Sequence, residues 1–226
     1  MAAPYKAFIL DLNGTMIDDM QFHAEAWSKI INEELNGGLS KEEVKENMYG
    51  KNEEVLTRIF GNKRFTLEEM QELSIEKERR YQKAYFPYLK LIKGLPEFLE
   101  RAYQNNILLA IGSAAIPFNI DFVLDNLNIR KYFSVIVSAD DVKKSKPHPE
   151  TYTKAAALLG VDEKQCIVFE DAPKGVEAAV NAGMQSVVLT TTHEEEDFIQ
   201  YLNILSFIKD FTDPSLEKLF ASDTAE

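Results

Sequence analysis

The sequence predicts an α/β protein: a parallel sheet covered by helices on both faces, with an almost wholly helical segment inserted after the first strand. Three observations predict it. Short apolar runs alternate with helical patterns, as strands buried on both faces of a sheet do. Most runs end at a polar residue, where open sheets of this class present their crevice. Roughly a hundred residues separate the first two runs, against roughly 2–6 in an ordinary connection between strand and helix.

The runs, in chain order, are Ala7–Asp11, Ile107–Gly112, Val135–Ser138, Cys166–Glu170 and Ser186–Thr190, with a weaker sixth around Leu205–Ile208, so five or six strands are expected. The insert carries four helical patterns, over Gln21–Leu35, Lys41–Met48, Glu53–Phe60 and Thr66–Tyr85. The last opens with Thr66-Leu67-Glu68-Glu69, a capping box in which hydroxyl and carboxylate satisfy end amides reciprocally. Phe86-Pro87 stops it, since the residue before a proline avoids the helical region. Gly94 and Pro96 mark the return to the main domain, with Pro96 in a first helical turn. Hinges therefore fall near Met16–Asp19 and Leu91–Gly94. The expected division is 1–15 with 94–226 as the α/β domain and 16–93 as the helical one.

A chain of 226 residues and 45% hydrophobic content can fill one large core and a small accessory one. The N-terminus, Met1-Ala2-Ala3-Pro4-Tyr5-Lys6, lacks the basic and apolar regions of a secretory leader, and no run reaches the length of a membrane span. A cytoplasmic location without membrane attachment is expected. A net charge of −12 argues against nucleic acid as a partner, because phosphate backbones are held by clustered Lys and Arg. The single cysteine, Cys166, lies inside an apolar run and reads as core, not as a nucleophile.

Chemistry gathers at the strand ends. Asp11 closes the first run and precedes Leu12-Asn13-Gly14-Thr15, where a glycine lets the chain turn. Ser113 ends the second run, Lys146 lies between the third and fourth, and Glu170-Asp171 ends the fourth. These supply carboxylates, a hydroxyl and an ammonium, the set that holds a divalent cation and a phosphoryl group. Each has a plainer alternative. Asp11 could form a turn, Ser113 could cap the following helix, Lys146 could be a solvated surface lysine, and Glu170-Asp171 could be an exposed turn pair. Adjacent acids repel unless a cation is present, which favours the metal reading.

The ordered set Phe8-Ile9-Leu10-Asp11-Leu12-Asn13-Gly14-Thr15, Ile111-Gly112-Ser113-Ala114, Lys146-Pro147 and Phe169-Glu170-Asp171-Ala172, followed by Lys174-Gly175-Val176-Glu177, resembles the haloacid dehalogenase superfamily. Its pattern is nearest to the β-phosphoglucomutase-like group. The resemblance implies a three-layer, doubly wound parallel sheet with the strand carrying Asp11 at its centre, and a four-helix cap inserted after that strand. It implies that Asp11 attacks phosphorus to form an aspartyl-phosphate, splitting one displacement into two. Magnesium would take the Asp11 and Asp171 carboxylates and the Asn13 backbone carbonyl, with Glu170 direct or through water. Ser113, Ala114 and Lys146 would hold the transferring phosphoryl oxygens. The implied partner is a small phosphorylated metabolite such as a sugar phosphate, acted on by a monomeric, magnesium-dependent phosphatase.

The chain departs from that pattern at two places. The family's second Asp, which protonates the leaving group and then activates the acceptor, is here Asn13. An amide cannot donate and recover a proton, so a factor of about 10²–10⁴ in rate is at stake. Asn13 is either a natural residue with weaker or differently assisted chemistry, or an Asp-to-Asn change that disables turnover. In the insert, His23 and Trp27 lie one helical turn apart and match the mutase-like His-x-x-x-Trp pattern. Trp27 reads equally as core or as substrate contact, whereas His23 reads as a site residue before a surface one. The mutase branch's clamp arginine is replaced in Tyr49-Gly50-Lys51-Asn52-Glu53 by glutamate, for which neighbouring Lys51 could partly substitute. Two alternatives to the phosphatase therefore stand, a sugar-phosphate mutase and a phosphate-ligand binding protein with impaired turnover.

Overall fold

The structure, a computed structural model, describes residues 5–220. Met1–Pro4, part of the N-terminal stretch read above for a leader, lie outside the described residues. Two compact units emerge, one from the chain up to Asp18 and from Lys90 onward, the other from Asp19–Leu89.

The first unit is built on a six-stranded parallel sheet. Its strands are β1 (Ala7–Leu10), β2 (Leu108–Gly112), β3 (Val135–Val137), β4 (Cys166–Glu170), β5 (Gln185–Leu189) and β6 (Ile204–Ile208), in the order β3-β2-β1-β4-β5-β6. The strand carrying Asp11 is central, as expected, and the weak sixth run is a strand. Two-sided burial explains why β1 and β4 are unbroken apolar runs. Ala7 and Ile9 pack with Cys166 and Val168 in one core, while Phe8 and Phe169 meet on the other face, their ring centroids 5.5 Å apart. Tyr152 and Ala155 of one flanking helix and Ala178 of another close the first core, and Phe98 of a third stacks on Phe8. Cys166 is fully buried, and burial pushes its thiol up to about 12, which fits core and not a nucleophile.

The helices, in chain order, are α1 (Met20–Ser28), α2 (Lys41–Asn47), α3 (Asn52–Phe60) and α4 (Leu67–Tyr85) in the second unit. In the first they are α5 (Leu95–Gln104), α6 (Pro117–Asn126), α7 (Glu150–Leu159) and α8 (Pro173–Asn181). Tyr152 lies on α7, Ala178 on α8 and Phe98 on α5. The predicted capping box opens α4: Glu69 N–H donates to Thr66 Oγ1 at 3.2 Å, and Thr66 N–H to Glu69 Oε2 at 2.7 Å. The expected single helix over Gln21–Leu35 is instead α1 followed by a π-helical turn, Lys29–Glu34, in which Leu35 N–H reaches back five residues to Ile30 O. Apolar periodicity cannot register that change, because Trp27, Ile30 and Ile31 remain buried together. Met16 and Ile17, fully buried, belong with the sheet: Gly14 N–H donates to Ile17 O and Ile92 N–H to Met16 O. Among the described residues no helix is long and apolar enough to cross a membrane.

Candidate active site

The strand order reverses beside β1: the chain goes outward to β2 and β3, then crosses to β4 on the other flank. A crevice opens outside the C-terminal ends of strands at such a point. Leu10 pairs with Phe169, so Asp11 after β1 and Glu170 at the end of β4 come out level with one another. That register alone turns two distant acids into neighbours. Oxygen atoms of Asp11, Glu170 and Asp171 all lie within 4.8 Å of one another.

Lys146 joins them. Its Nζ donates to Asp11 Oδ1 at 2.6 Å and to Glu170 Oε1 at 2.7 Å, and it sits 4.8 Å from the Tyr152 ring centroid. Burial would push this ammonium down, but the Asp11 and Glu170 carboxylates outweigh it and hold its pKa above the ordinary lysine value. The surface alternative for Lys146 is thereby removed. So is the exposed-turn alternative for Glu170 and Asp171, which are 2% and 4% exposed.

Glu170 is held from several directions. Tyr152 Oη donates to Oε1 at 2.6 Å, while the amides of Asp171 and Ala172 donate to Oε2 at 3.0 and 3.1 Å. Gly175, in the first turn of α8, makes room for it, since a Cβ there would lie 1.9 Å from Glu170 Oε1. Asp171 accepts from Thr15 Oγ1 on Oδ1 at 3.0 Å and from Thr192 Oγ1 on Oδ2. Burial, then the Glu170 and Asp11 charges, push the Asp171 carboxyl well above the usual carboxylate range. Gly14, at φ +76°, faces Asp171: a Cβ on it would fall 2.2 Å from Asp171 Oδ2. That position demands glycine both for its backbone and for its space.

Three buried carboxylates against one ammonium form an all-oxygen donor set, acidic enough that the third carboxyl, Asp171, is held toward its protonated form until a positive charge arrives. A small, hard divalent cation fits that chemistry. Asn13 lies between Asp11 and Gly14, its backbone pinned by a bridge to Ile17. Ser113 is buried directly after β2, where its N–H donates to Val137 O and its Oγ accepts from Ala115 N–H at 3.1 Å; α6 starts at Pro117 with Ile116 as its cap residue, so Ser113 does not cap the helix that follows. Its O–H can still donate. Ala114 follows it in the same loop, half-buried.

The insert residues sit in the second unit. Trp27, 2% exposed, belongs to a core with Ile30, Ile31, Val44, Val55 and Leu56, in line with the first of its two readings. His23 is buried, not a surface residue. Its Nε2 lies 3.2 Å from Asp19 Oδ2, its Nδ1 2.6 Å from Lys77 Nζ, and Tyr81 stacks on its ring at 3.8 Å. Lys77 also pairs with Glu78 at 3.0 Å, and Asn52 Nδ2 donates to Glu78 Oε1 at 2.7 Å. Lys51 precedes α3, with its N–H on Glu54 Oε2 at 2.9 Å.

Sequence reasoning missed Tyr152, Thr15, Thr192 and the Asp19–Lys77–Glu78 group. Tyr152 was invisible inside an apolar helix face. The threonines had one available signal, their position in the loops that follow β1 and β5.

Comparison with known proteins agrees with this geometry. The family model described as haloacid dehalogenase-like hydrolase matches residues 8–189. The validoxylamine A 7'-phosphate phosphatase of Streptomyces hygroscopicus subsp. limoneus is 30% identical, over 85% of this chain and 89% of its own. The β-phosphoglucomutase of Bacillus subtilis is 33% identical over 80% of this chain and 82% of its own. The crystal structure of β-phosphoglucomutase from Clostridium difficile superposes with a TM-score of 0.81 at 28% identity, covering 95% of this chain and 97% of that one.

Proposed function

The chain belongs to the haloacid dehalogenase-like hydrolase family, and from that premise we propose that it moves a phosphoryl group from a small phosphorylated metabolite, such as a sugar phosphate, to Asp11 and then to water. The observation that carries this reading is the Asp11 carboxylate at the sheet's switch point, grouped with Glu170, Asp171 and Lys146. Its relatives include both a validoxylamine A 7'-phosphate phosphatase and a β-phosphoglucomutase.

In this reading an Asp11 carboxylate oxygen attacks phosphorus, the bond to the leaving oxygen breaks, and an aspartyl-phosphate forms. Lys146 pairs with Asp11 and meets the incoming phosphoryl oxygens, and the Ser113 hydroxyl donates to one of them. Asp11, Asp171, Glu170 and the Asn13 carbonyl would hold magnesium. The bound cation would neutralise charge developing on the phosphoryl oxygens. Asn13 cannot protonate the leaving oxygen or deprotonate the water that ends the cycle, so the chain as it stands should favour leaving groups that depart unprotonated.

The test is a panel of phosphorylated metabolites beside p-nitrophenyl phosphate, with magnesium, for the chain and for Asn13→Asp. The expected result is release of phosphate from the activated ester by both. Asn13→Asp should raise turnover of alkyl phosphates by about 10²–10⁴-fold and of the activated ester by less. Vigorous alkyl-phosphate hydrolysis by the unmodified chain would overturn the role given to position 13. No turnover by either protein, with phosphate still bound, would establish the binding protein. Isomerisation of a sugar phosphate without phosphate release would establish the mutase, the reading favoured by the likeness to β-phosphoglucomutases.

A further inference from the structure

Thr190-Thr191-Thr192-His193 follows β5 and belongs to none of the four motifs. Glu170 pairs with Val188 across β4 and β5, so the chain leaving β5 emerges beside Asp171. Thr192 Oγ1 donates to Asp171 Oδ2, and also lies 3.0 Å from the Asp171 backbone oxygen. A hydroxyl has one proton to give. The shorter contact assigns it to the carboxylate. His193 Nδ1 is 2.9 Å from Thr192 Oγ1 and 3.1 Å from the Asp171 backbone oxygen. An Nδ1–H tautomer, assigned from this network, serves both contacts and leaves the Thr192 proton directed at Asp171. Next to it, Thr191 Oγ1 donates to the Gly14 carbonyl, tying the same segment to the loop that carries Asn13.

Each Asp171 carboxylate oxygen thus accepts one hydroxyl proton, Oδ1 from Thr15 and Oδ2 from Thr192. A carboxylate offers about four lone-pair positions, so about one remains on each oxygen for a cation. The two kinds of support differ in charge. Lys146 brings a positive charge against Asp11 and Glu170, whereas the hydroxyls orient Asp171 without bringing a formal charge against it.

We infer that Thr192, itself oriented by His193, is a positioning residue for the metal site, fixing with Thr15 the Asp171 carboxylate orientation that receives magnesium. The inference rests on the magnesium reading above. Partners of this kind behind a ligating carboxylate are worth about 10–100-fold in metal affinity.

Magnesium binding to the full chain, measured by titration calorimetry without substrate, tests it. Thr192→Val keeps shape and methyl group and removes the donor. It should weaken magnesium by about 10–100-fold, whereas Thr192→Ser, which keeps the donor, should stay within about threefold of the parent. Unchanged affinity in Thr192→Val overturns the inference, and so does an equal loss in Thr192→Ser, since the hydroxyl would then not be the operative group. Circular dichroism without metal checks each fold. If Thr192→Val does not fold, His193→Ala must weaken magnesium by several-fold, and unchanged affinity there is equally fatal. Absence of magnesium binding by the parent chain would defeat the metal reading itself. Normal parent binding with an unaffected Thr192→Val would defeat this inference alone.

Discussion

Lys146→Met keeps the length of the side-chain stem and deletes the ammonium between Asp11 and Glu170. At the 4.8 Å limit that bounds the Asp11, Glu170 and Asp171 oxygens, each pair of charges repels by about 3.5 kcal/mol at an effective dielectric of about 20. The ammonium offsets this from 2.6 and 2.7 Å. Removing one partner from such a buried group costs about 3–5 kcal/mol, with part of the loss relieved if a carboxyl takes up a proton. For a urea slope of about 2–3 kcal/mol per molar, the metal-free midpoint should fall by about 1–2 M. Far-UV circular dichroism reports the unit that holds the cluster together with the helices of the second. The single tryptophan, Trp27, lies in the other unit and reports that unit separately. Millimolar magnesium should restore more stability to the variant than it adds to the parent, because three unneutralised carboxylates bind the cation more strongly than a set with its own ammonium. A metal-free midpoint equal to the parent's would refute the electrostatic account of the cluster.

Three further outcomes follow from particular contacts. Asp171→Ala should abolish the rise in melting temperature that magnesium gives the parent by mass action, and an undiminished rise would remove Asp171 from the ligand set. Gly175→Ala would place a Cβ 1.9 Å from Glu170 Oε1, so the carboxylate must leave Lys146 and Tyr152; loss of magnesium affinity by calorimetry is expected, and unchanged affinity would show that Glu170 can move without consequence. Glu78→Gln tests the buried group of the helical unit by its pH dependence. Burial pushes the Glu78 carboxyl up, but Lys77, His23 and the Asn52 amide outweigh it and hold its pKa below 4.5. A lowered folded pKa gives stability that is present above the unfolded value and lost as pH falls through the folded one. Glu78→Gln should therefore cost about 1.5–3 kcal/mol at neutral pH, and the deficit should shrink as pH falls below about 4.5. Trp27 fluorescence during urea unfolding reads it, and a deficit independent of pH would contradict the assignment.

What was legible in the sequence follows from which forces write a local pattern. β1 and β4 were readable because both faces are buried, so Ala7–Leu10 and Cys166–Glu170 carry no polar interruption. β6 was faint because it is an edge strand, with Leu205 39% exposed and only Ile208 fully buried. The strand order could not be read from runs at all, since register is set between segments far apart in the chain. The likeness of the motifs supplied only that the strand carrying Asp11 is central. Asp11, Glu170 and Asp171 stood out because a charge beside an apolar run is locally unusual, and Lys146 because of its place in the motif order beside Pro147. Tyr152 did not, because one hydroxyl on a buried helix face looks the same as core until Glu170 is seen 2.6 Å away. Trp27 was ambiguous for the same reason: its spacing from His23 suits core and substrate contact alike, and at 2% exposure it lies in the helical unit's core.

The arrangement around Asp11 also bears on why position 13 matters. A group that protonates a leaving oxygen must both reach it and release its proton near the working pH. Lys146 reaches Asp11, but the two carboxylates that hold it favour the ammonium, so it stabilises charge and keeps its proton. Tyr152 reaches Glu170, and burial followed by that carboxylate's charge pushes its phenol well above its ordinary value, so it too keeps its proton. Both groups are suited to holding an anionic phosphoryl group and its transition state, and neither to shuttling protons. The resemblance puts that task on the residue two places beyond the nucleophile, where the chain carries an amide. In the proposed reading the side-chain amide does not alter the backbone carbonyl, so metal binding and charge stabilisation would survive while proton transfer would not. That separation is why Asn13→Asp should change the response to leaving-group basicity and leave magnesium affinity nearly untouched.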